Sequence, residues 1–202
     1  MVLGGDLAVS HLLSAGPEDV AYVSGPHAIR QVADRRAGAL RALRRAGRSL
    51  RDLRVIDADA LNVGGGQRAG ASIAAMLVSS RPSAVFCSND LIALGVLQEM
   101  TRNHIRVSED ISIVGYDDID FAAAAAVPLT SVRQPRHQLG RTAARLLLDE
   151  AADDETHQHR QVSFEPELVV RQSTQPVSLP AMAPPAPPVP ADDRGRKPTG
   201  MF

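Results

Sequence analysis

Cysteine is almost missing from this chain of 202 residues. Cys87 is the one thiol, which excludes an internal disulfide framework and any multi-cysteine metal site. Lysine is as scarce: of the 22 basic residues all but Lys197, near the end of the chain, are arginine. A Walker phosphate loop needs a lysine on the phosphates, and Schiff-base chemistry needs a lysine nucleophile. A lysine-free body closes both classes and disfavours a phosphorylated receiver domain. Long apolar runs are lacking too, since no stretch approaches the roughly 18 residues of a membrane span. The opening residues, Met1 to Asp6, show neither a basic n-region nor an apolar h-region, so the expected location is cytoplasmic. There is no excess of positive charge. With 22 basic against 23 acidic residues the formal net charge is −1, which argues against a free-standing nucleic-acid binder.

What is present reads as an ordered body followed by a tail. From Gln175 onward there are eight prolines, including Pro184, Pro185, Pro187, Pro188 and Pro190, and this composition predicts a disordered or polyproline II segment over residues 175–202. Residues 1–174 alternate short apolar runs with helical spacing. The strand-like runs are Val20-Ala21-Tyr22-Val23, Leu53-Arg54-Val55-Ile56, Ala84-Val85-Phe86-Cys87 and Ile111-Ser112-Ile113-Val114. Helical spacing occupies residues 4–15, 34–46, 65–79 and 90–103 between them. Ala33, Ala37, Leu40 and Leu43 make one apolar stripe, and Gly47 is placed to stop that helix. This alternation predicts an α/β fold, a doubly wound parallel sheet with helices on both faces. A further strand at Leu129-Thr130-Ser131-Val132 and a helix from Pro135 to about Glu150 follow. Val162-Ser163-Phe164 and Leu168-Val169-Val170 then read as two short closing strands around Pro166.

Ligands of open parallel sheets bind outside the carboxyl ends of the strands. The residues after the first, third and fourth strands therefore mark the candidate site. Ser24-Gly25-Pro26 leads to Arg35, Ser88 precedes Asn89 and Asp90, and Tyr116 precedes Asp117 and Asp118. A cation, an amide and a carboxylate facing one crevice suit a polyhydroxylated or heterocyclic small molecule. They include no nucleophile paired with a general base, so an enzyme is not expected. Each has a plainer reading: Arg35 is one of nine arginines between Arg30 and Arg54 and fits a solvated helix face, Asn89 and Asp90 fit helix caps, and Asp117 fits a turn. Asp90, Asp117, Asp118 and Asp120 together suggest a magnesium cluster, and a magnesium-dependent α/β enzyme is a rival reading. Gly64-Gly65-Gly66 suits either a phosphate cradle or a turn entering a helix. His157-Gln158-His159 is a poor metal motif. In the fourth helix Leu91, Ile92, Leu94, Val96, Leu97 and Met100 spread over more than one face, so a homodimer contact through Leu94 and Leu97 is expected.

Three strings in order carry a resemblance: Val85-Phe86-Cys87-Ser88-Asn89-Asp90-Leu91-Ile92-Ala93-Leu94-Gly95, then Asp110-Ile111-Ser112-Ile113-Val114-Gly115-Tyr116-Asp117-Asp118, then Pro128-Leu129-Thr130-Ser131-Val132-Arg133-Gln134-Pro135. With Tyr22-Val23-Ser24-Gly25-Pro26 and Arg35-Arg36-Ala37-Gly38 upstream, the chain resembles the LacI/GalR family of bacterial transcriptional regulators from about Leu3 to Thr174. The resemblance implies a sensor domain of the type I periplasmic-binding-protein kind, two α/β lobes closing on an effector, with a sugar as the expected effector. It implies effector contacts at Arg35, Asn89 and Asp117, with Ile29 and Leu61 at two further contact positions, and no cofactor or metal. It implies that the body is the C-terminal lobe with residues 128–150 left from the other lobe, without their sheet, and exposing Leu139, Ala143, Leu146 and Leu147. The partners implied are a small-molecule effector and a second copy of the chain. DNA is reached only through a helix-turn-helix headpiece missing from this chain, and no membrane is involved. A transport-type sugar-binding protein is the alternative.

Overall fold

Strands covered on both faces read as unbroken apolar runs, and three such strands form the middle of this fold. β1 (Val20–Ser24) and β3 (Ala84–Cys87) are buried at every position, as is β4 (Ser112–Tyr116). The computed structural model describes residues 1–17, 19–151 and 159–174; the expected tail, residues 175–202, and His157 lie outside them. With β2 (Leu53–Asp57), β5 (Thr130–Arg133) and β6 (Glu167–Val169), these strands make one sheet in the order β2-β1-β3-β4-β5-β6. All neighbours are parallel except β5 and β6, where Val132 faces Leu168 in an antiparallel edge.

Alternation along the strands divides the core in two. Tyr22, Phe86, Val114 and Tyr116 pack with Ala8, Val9 and Leu12 of α1 (Val2–Ser14) and Ala39 and Leu43 of α2 (Arg30–Arg45). Ala21, Val23, Val85, Cys87 and Ile113 face the other way, onto Ala69 and Ile73 of α3 (Val63–Ala74) and Ile92, Val96 and Met100 of α4 (Asp90–Arg102). The doubly wound α/β sheet expected from the alternation is the fold observed. Among the described residues no helix is long and apolar enough to cross a membrane.

Each helix pair meets backbone to backbone through glycine. A Cβ on Gly5 would overlap the Arg35 carbonyl, one on Gly66 the Ile92 carbonyl, and one on Gly95 the Val63 carbonyl. Gly65 lies against Ala60, and its amide donates to the Asn62 side chain at 2.8 Å. The Gly64-Gly65-Gly66 run is thus explained by capping and close helix packing. Gly95→Ala is expected to lose about 3 kcal/mol, because rigid backbone has to move. Gly140→Ala, in the exposed α6 (Arg136–Ala151) with nothing near its Cβ direction, is expected to gain roughly 0.5 kcal/mol. Urea unfolding of the two variants checks both signs.

Several expectations need correction. The strand at residues 129–132 does not lose its sheet: β5 pairs in parallel with β4, Gly115 opposite Ser131. Val162, Ser163 and Phe164 form no strand; only Glu167–Val169 joins the ladder, after Pro166, which has no amide hydrogen to donate. α3 stops at Ala74, short of Ser79, and a single 3-10 turn covers Val78–Ser80. The helix after Pro135 does stand exposed. α6 buries none of its residues, and Leu139, Leu147 and Leu148 face solvent.

Candidate functional site

The strand order turns from β2-β1 to β3-β4 between β1 and β3, and it is beyond the carboxyl ends at such a turning point that open α/β sheets bind ligands. Arg35 enters this region from α2. It is 3% exposed, so it is not part of a solvated face. Its Nη1 donates to the Ser88 carbonyl and its Nη2 to Asp117 Oδ1 at 3.0 Å. The guanidinium carbon lies 3.7 Å from the centroid of the Tyr116 ring. Tyr116 ends a row of rings, 6.5 Å from Phe86, which is 5.2 Å from Tyr22. Cation–π attraction strengthens when the cation is desolvated, and this platform offsets part of the burial of charge. The Nε of Arg35 has no hydrogen-bond partner among the described residues.

Asp117 stands on a turn of unusual shape. Its φ is 101° and that of Asp118 is 48°, so two successive non-glycine residues are left-handed. Such conformations cost on the order of 1–3 kcal/mol each and persist only where surroundings impose them. Here the Asp117 amide donates to the Val132 carbonyl at 2.8 Å, and the Asp118 amide to Ser131 Oγ at 3.1 Å. Burial pushes the Asp117 carboxyl above the usual carboxylate range, and Arg35 opposes that shift. The side chain of Asp117 keeps 36% of its surface. It is a partly exposed charged acceptor, while the cation paired with it is closed over.

Asn89 caps α4: its Oδ1 accepts from the Ile92 amide at 2.9 Å, and its Nδ2 donates to the Leu61 carbonyl at 3.2 Å. Asp90 therefore does not cap this helix. Its carboxylate turns away, accepting from Ser131 Oγ at 2.6 Å and from the Ile119 amide at 2.9 Å. Leu61 packs against both cores and over Gly25, and half-buried Ile29 ends the approach to α2. Arg35 is thus joined directly to Asp117 and Asn89 directly to Leu61, and the two pairs are linked through Ser88, whose carbonyl accepts from Arg35 and which precedes Asn89. Leu97 is not available to a partner: it is 4% exposed inside the chain's own core, because α3 covers the second apolar face of α4. Leu94 is partly buried against the same core.

The acidic residues do not gather around a cation. Asp118 accepts from Arg133 Nε and Arg171 Nη1, both at 2.6 Å, and Asp90 and Asp117 face other partners. Among the described residues no group of His, Cys, Asp and Glu is arranged to hold a metal. Burial pushes the Cys87 thiol well up, as expected of a strand residue in the core. Sequence reasoning missed the Tyr116 platform and the Ser131 relay. The signal for both is present, an aromatic residue just before the acidic pair and a serine in the next strand. It becomes readable only when β4 is known to lie beside β5.

Residues 9–174 match the family described as periplasmic binding protein-like domain. The chain is 34% identical over 170 residues to the HTH-type transcriptional repressor PurR of Photobacterium profundum, covering 84% of this chain and 50% of that protein. It spans about half the length of such relatives. The LacI family transcriptional regulator from Enterococcus faecium with bound ribose superposes with a TM-score of 0.77 at 30% identity, covering 87% of this chain and 63% of that one. The lac repressor dimer bound to operator and an anti-inducer superposes with a TM-score of 0.71 at 28% identity, covering 85% and 57%.

Proposed function

Because the chain belongs to the periplasmic binding protein-like domain family, in the form of the effector-binding domain of LacI/GalR-type regulators, we propose that it senses a sugar in the crevice beyond β1, β3 and β4. Asp117 accepts hydroxyl hydrogens. Arg35 orients that carboxylate, Asn89 holds the Leu61 wall, and Leu61 and Ile29 bound the site with apolar surface. The observation that carries the reading is a buried guanidinium, one nitrogen of it unpartnered among the described residues, clamped against a partly exposed carboxylate at the strand ends. A purine-type nucleobase is the second reading, favoured by the relatives named PurR.

The sensor works without catalysis, as a homodimer. The exposed Leu139 and Leu147 of α6 pack against a second lobe, and effector binding shifts the balance between two lobe arrangements. DNA is contacted by a headpiece that this shift repositions, an assignment consistent with the net charge of −1 of this chain. Thermal melting against ribose, cellobiose, galactose, hypoxanthine and guanine tests the reading. At a hundred times Kd a ligand of the folded form adds about 2.7 kcal/mol, or roughly 5–10 °C. A rise with one sugar that Asp117→Ala removes is expected. A rise with a nucleobase alone transfers the site to the second reading, and no rise with any compound sinks both.

A further inference from the structure

Asp90 is almost wholly buried at the amino end of α4, yet the site as described leaves it no direct part. Its two oxygens serve two different segments. Oδ1 accepts the Ser131 hydroxyl of β5, and Oδ2 accepts the Ile119 amide just past the left-handed turn. The same Ser131 Oγ accepts the Asp118 amide. A relay runs from the Asp118 N–H through the serine O–H to the carboxylate. A hydroxyl has a single hydrogen, so an anionic acceptor on one side fixes its direction and leaves its lone pairs to the amide on the other. Gly115 is shaped to this arrangement, for a Cβ there would overlap Asp90 Oδ1.

Resting on the reading of this crevice as the effector site, we propose that Asp90 is its positioning residue: through Ser131 and the Ile119 amide its carboxylate locks the turn at Asp117 and Asp118 and so aims Asp117 into the crevice. The charge is the working part. Burial pushes the carboxyl up to about 6, Ser131 and the Ile119 amide pull it down, and Asp117 and Asp118 raise it again. Cys87 faces it from β3 as a neutral thiol. Arg35 lies on Asp117, while Arg133 and Arg171 lie on Asp118, so no cation bonds to Asp90 itself among the described contacts. Protonation gives Asp90 a hydrogen of its own to place, and the serine then loses its fixed direction. An asparagine does not reproduce this: with its Oδ1 on the Ile119 N–H its amide group donates to Ser131 Oγ, so the charge is gone and the serine hydrogen loses the acceptor that fixed its direction.

Backbone amide NMR of the full chain between pH 5 and 8, without ligand, tests this directly. In the wild type the Asp118 and Ile119 amide resonances are expected to titrate together with a midpoint of about 6. Asp90→Asn is expected to abolish that titration and to speed exchange of the Asp118 amide about tenfold, the effect of one lost hydrogen bond, with a smaller rise at Ile119, whose acceptor is now neutral. Ser131→Ala, which keeps the charge, frees the Asp118 amide alone and leaves the Ile119 titration in place, so it carries the test if Asp90→Asn fails to fold. Ribose and hypoxanthine serve as ligand probes. Whichever raises the wild-type Tm is expected to bind Asp90→Asn about tenfold more weakly at pH 7.5, with the pH dependence flattened. If neither probe binds, the sensing reading fails while the amide data still judge Asp90. Unchanged protection of both amides in both variants overturns the proposal.

Discussion

Arg35→Ala is expected to abolish effector binding and to lower stability by about 3 kcal/mol, whereas Arg35→Met abolishes binding at a cost of roughly 1 kcal/mol. The difference follows from what the guanidinium leaves behind. Removing it orphans the Ser88 carbonyl, uncovers the Tyr116 face and strips Asp117 of its countercharge. A buried polar group without a partner costs about 1–3 kcal/mol, and the alanine cavity adds to that. Methionine fills the space and lies on the ring, and it relieves the burial of an incompletely bonded cation. Neither residue can hold the carboxylate. Asp117, already raised by burial, rises further once Arg35 no longer opposes it. The sign is fixed by linkage: a carboxyl raised in the folded state stabilises the fold as pH falls through that value, because the folded protein takes up the proton. Both variants should therefore recover part of their deficit between pH 7 and pH 5. Urea unfolding at the two pH values, beside melting with the effector, measures this. Retention of binding by Arg35→Met would show that Asp117 needs no cation to hold it.

Arg35 also shows how far the sequence was readable. Its chain position among nine arginines favours a solvated helix face, and only the strand-end rule singles it out. That rule could be applied because β1, β3 and β4 are buried on both faces and so stand out as apolar runs. Asn89 was legible twice over, as a cap and as a strand-end residue, and the structure gives it the cap with a bond to Leu61 as well. Asp90 was not legible. Its work depends on Ser131, 41 positions away, and on β5 lying beside β4. Leu97 failed for a related reason. An apolar residue on a second helix face announces a partner without saying which, and glycines at 66 and 95 bring α3 close enough to be that partner. The strand at residues 162–164 failed because β propensity does not specify a neighbour, and pairing decides.

Asp118→Ala is expected to lower stability by about 3–4 kcal/mol and to loosen β6 specifically, although Asp118 is not one of the proposed effector contacts. Its side chain is 5% exposed and joins three segments: the end of β4 that bears it, Arg133 at the end of β5, and Arg171 just beyond β6. Arg171 is itself 17% exposed and also donates to the Leu129 carbonyl at 2.8 Å, so it cannot swing out to water when its partner is removed. Arg133 is different. It keeps 45% of its surface and has a second partner in Glu167, which is 65% exposed. Glu167→Ala is accordingly expected to cost no more than about 0.5 kcal/mol, the ordinary worth of a solvated pair. The acid limb separates the two further. Burial alone raises the Asp118 carboxyl, but Arg171 and Arg133 outweigh it and hold the group below its usual range. A depressed carboxyl contributes stability that is complete above its unfolded value, near 4, and is lost as pH falls through the folded value. This runs opposite to Asp90, whose raised carboxyl favours the fold on acidification between pH 7 and pH 5. Wild type should therefore hold steady or gain slightly on reaching pH 5 and lose stability steeply below pH 4. Asp118→Ala should lack most of the lower loss, because its tether is already gone. Unfolding curves from pH 7 to pH 2.5, with hydrogen exchange read at residues 167–169, measure both effects. An acid limb unchanged in Asp118→Ala, or an equal loss in Glu167→Ala, would mean that β6 is held by its ladder to β5 and not by the buried charge.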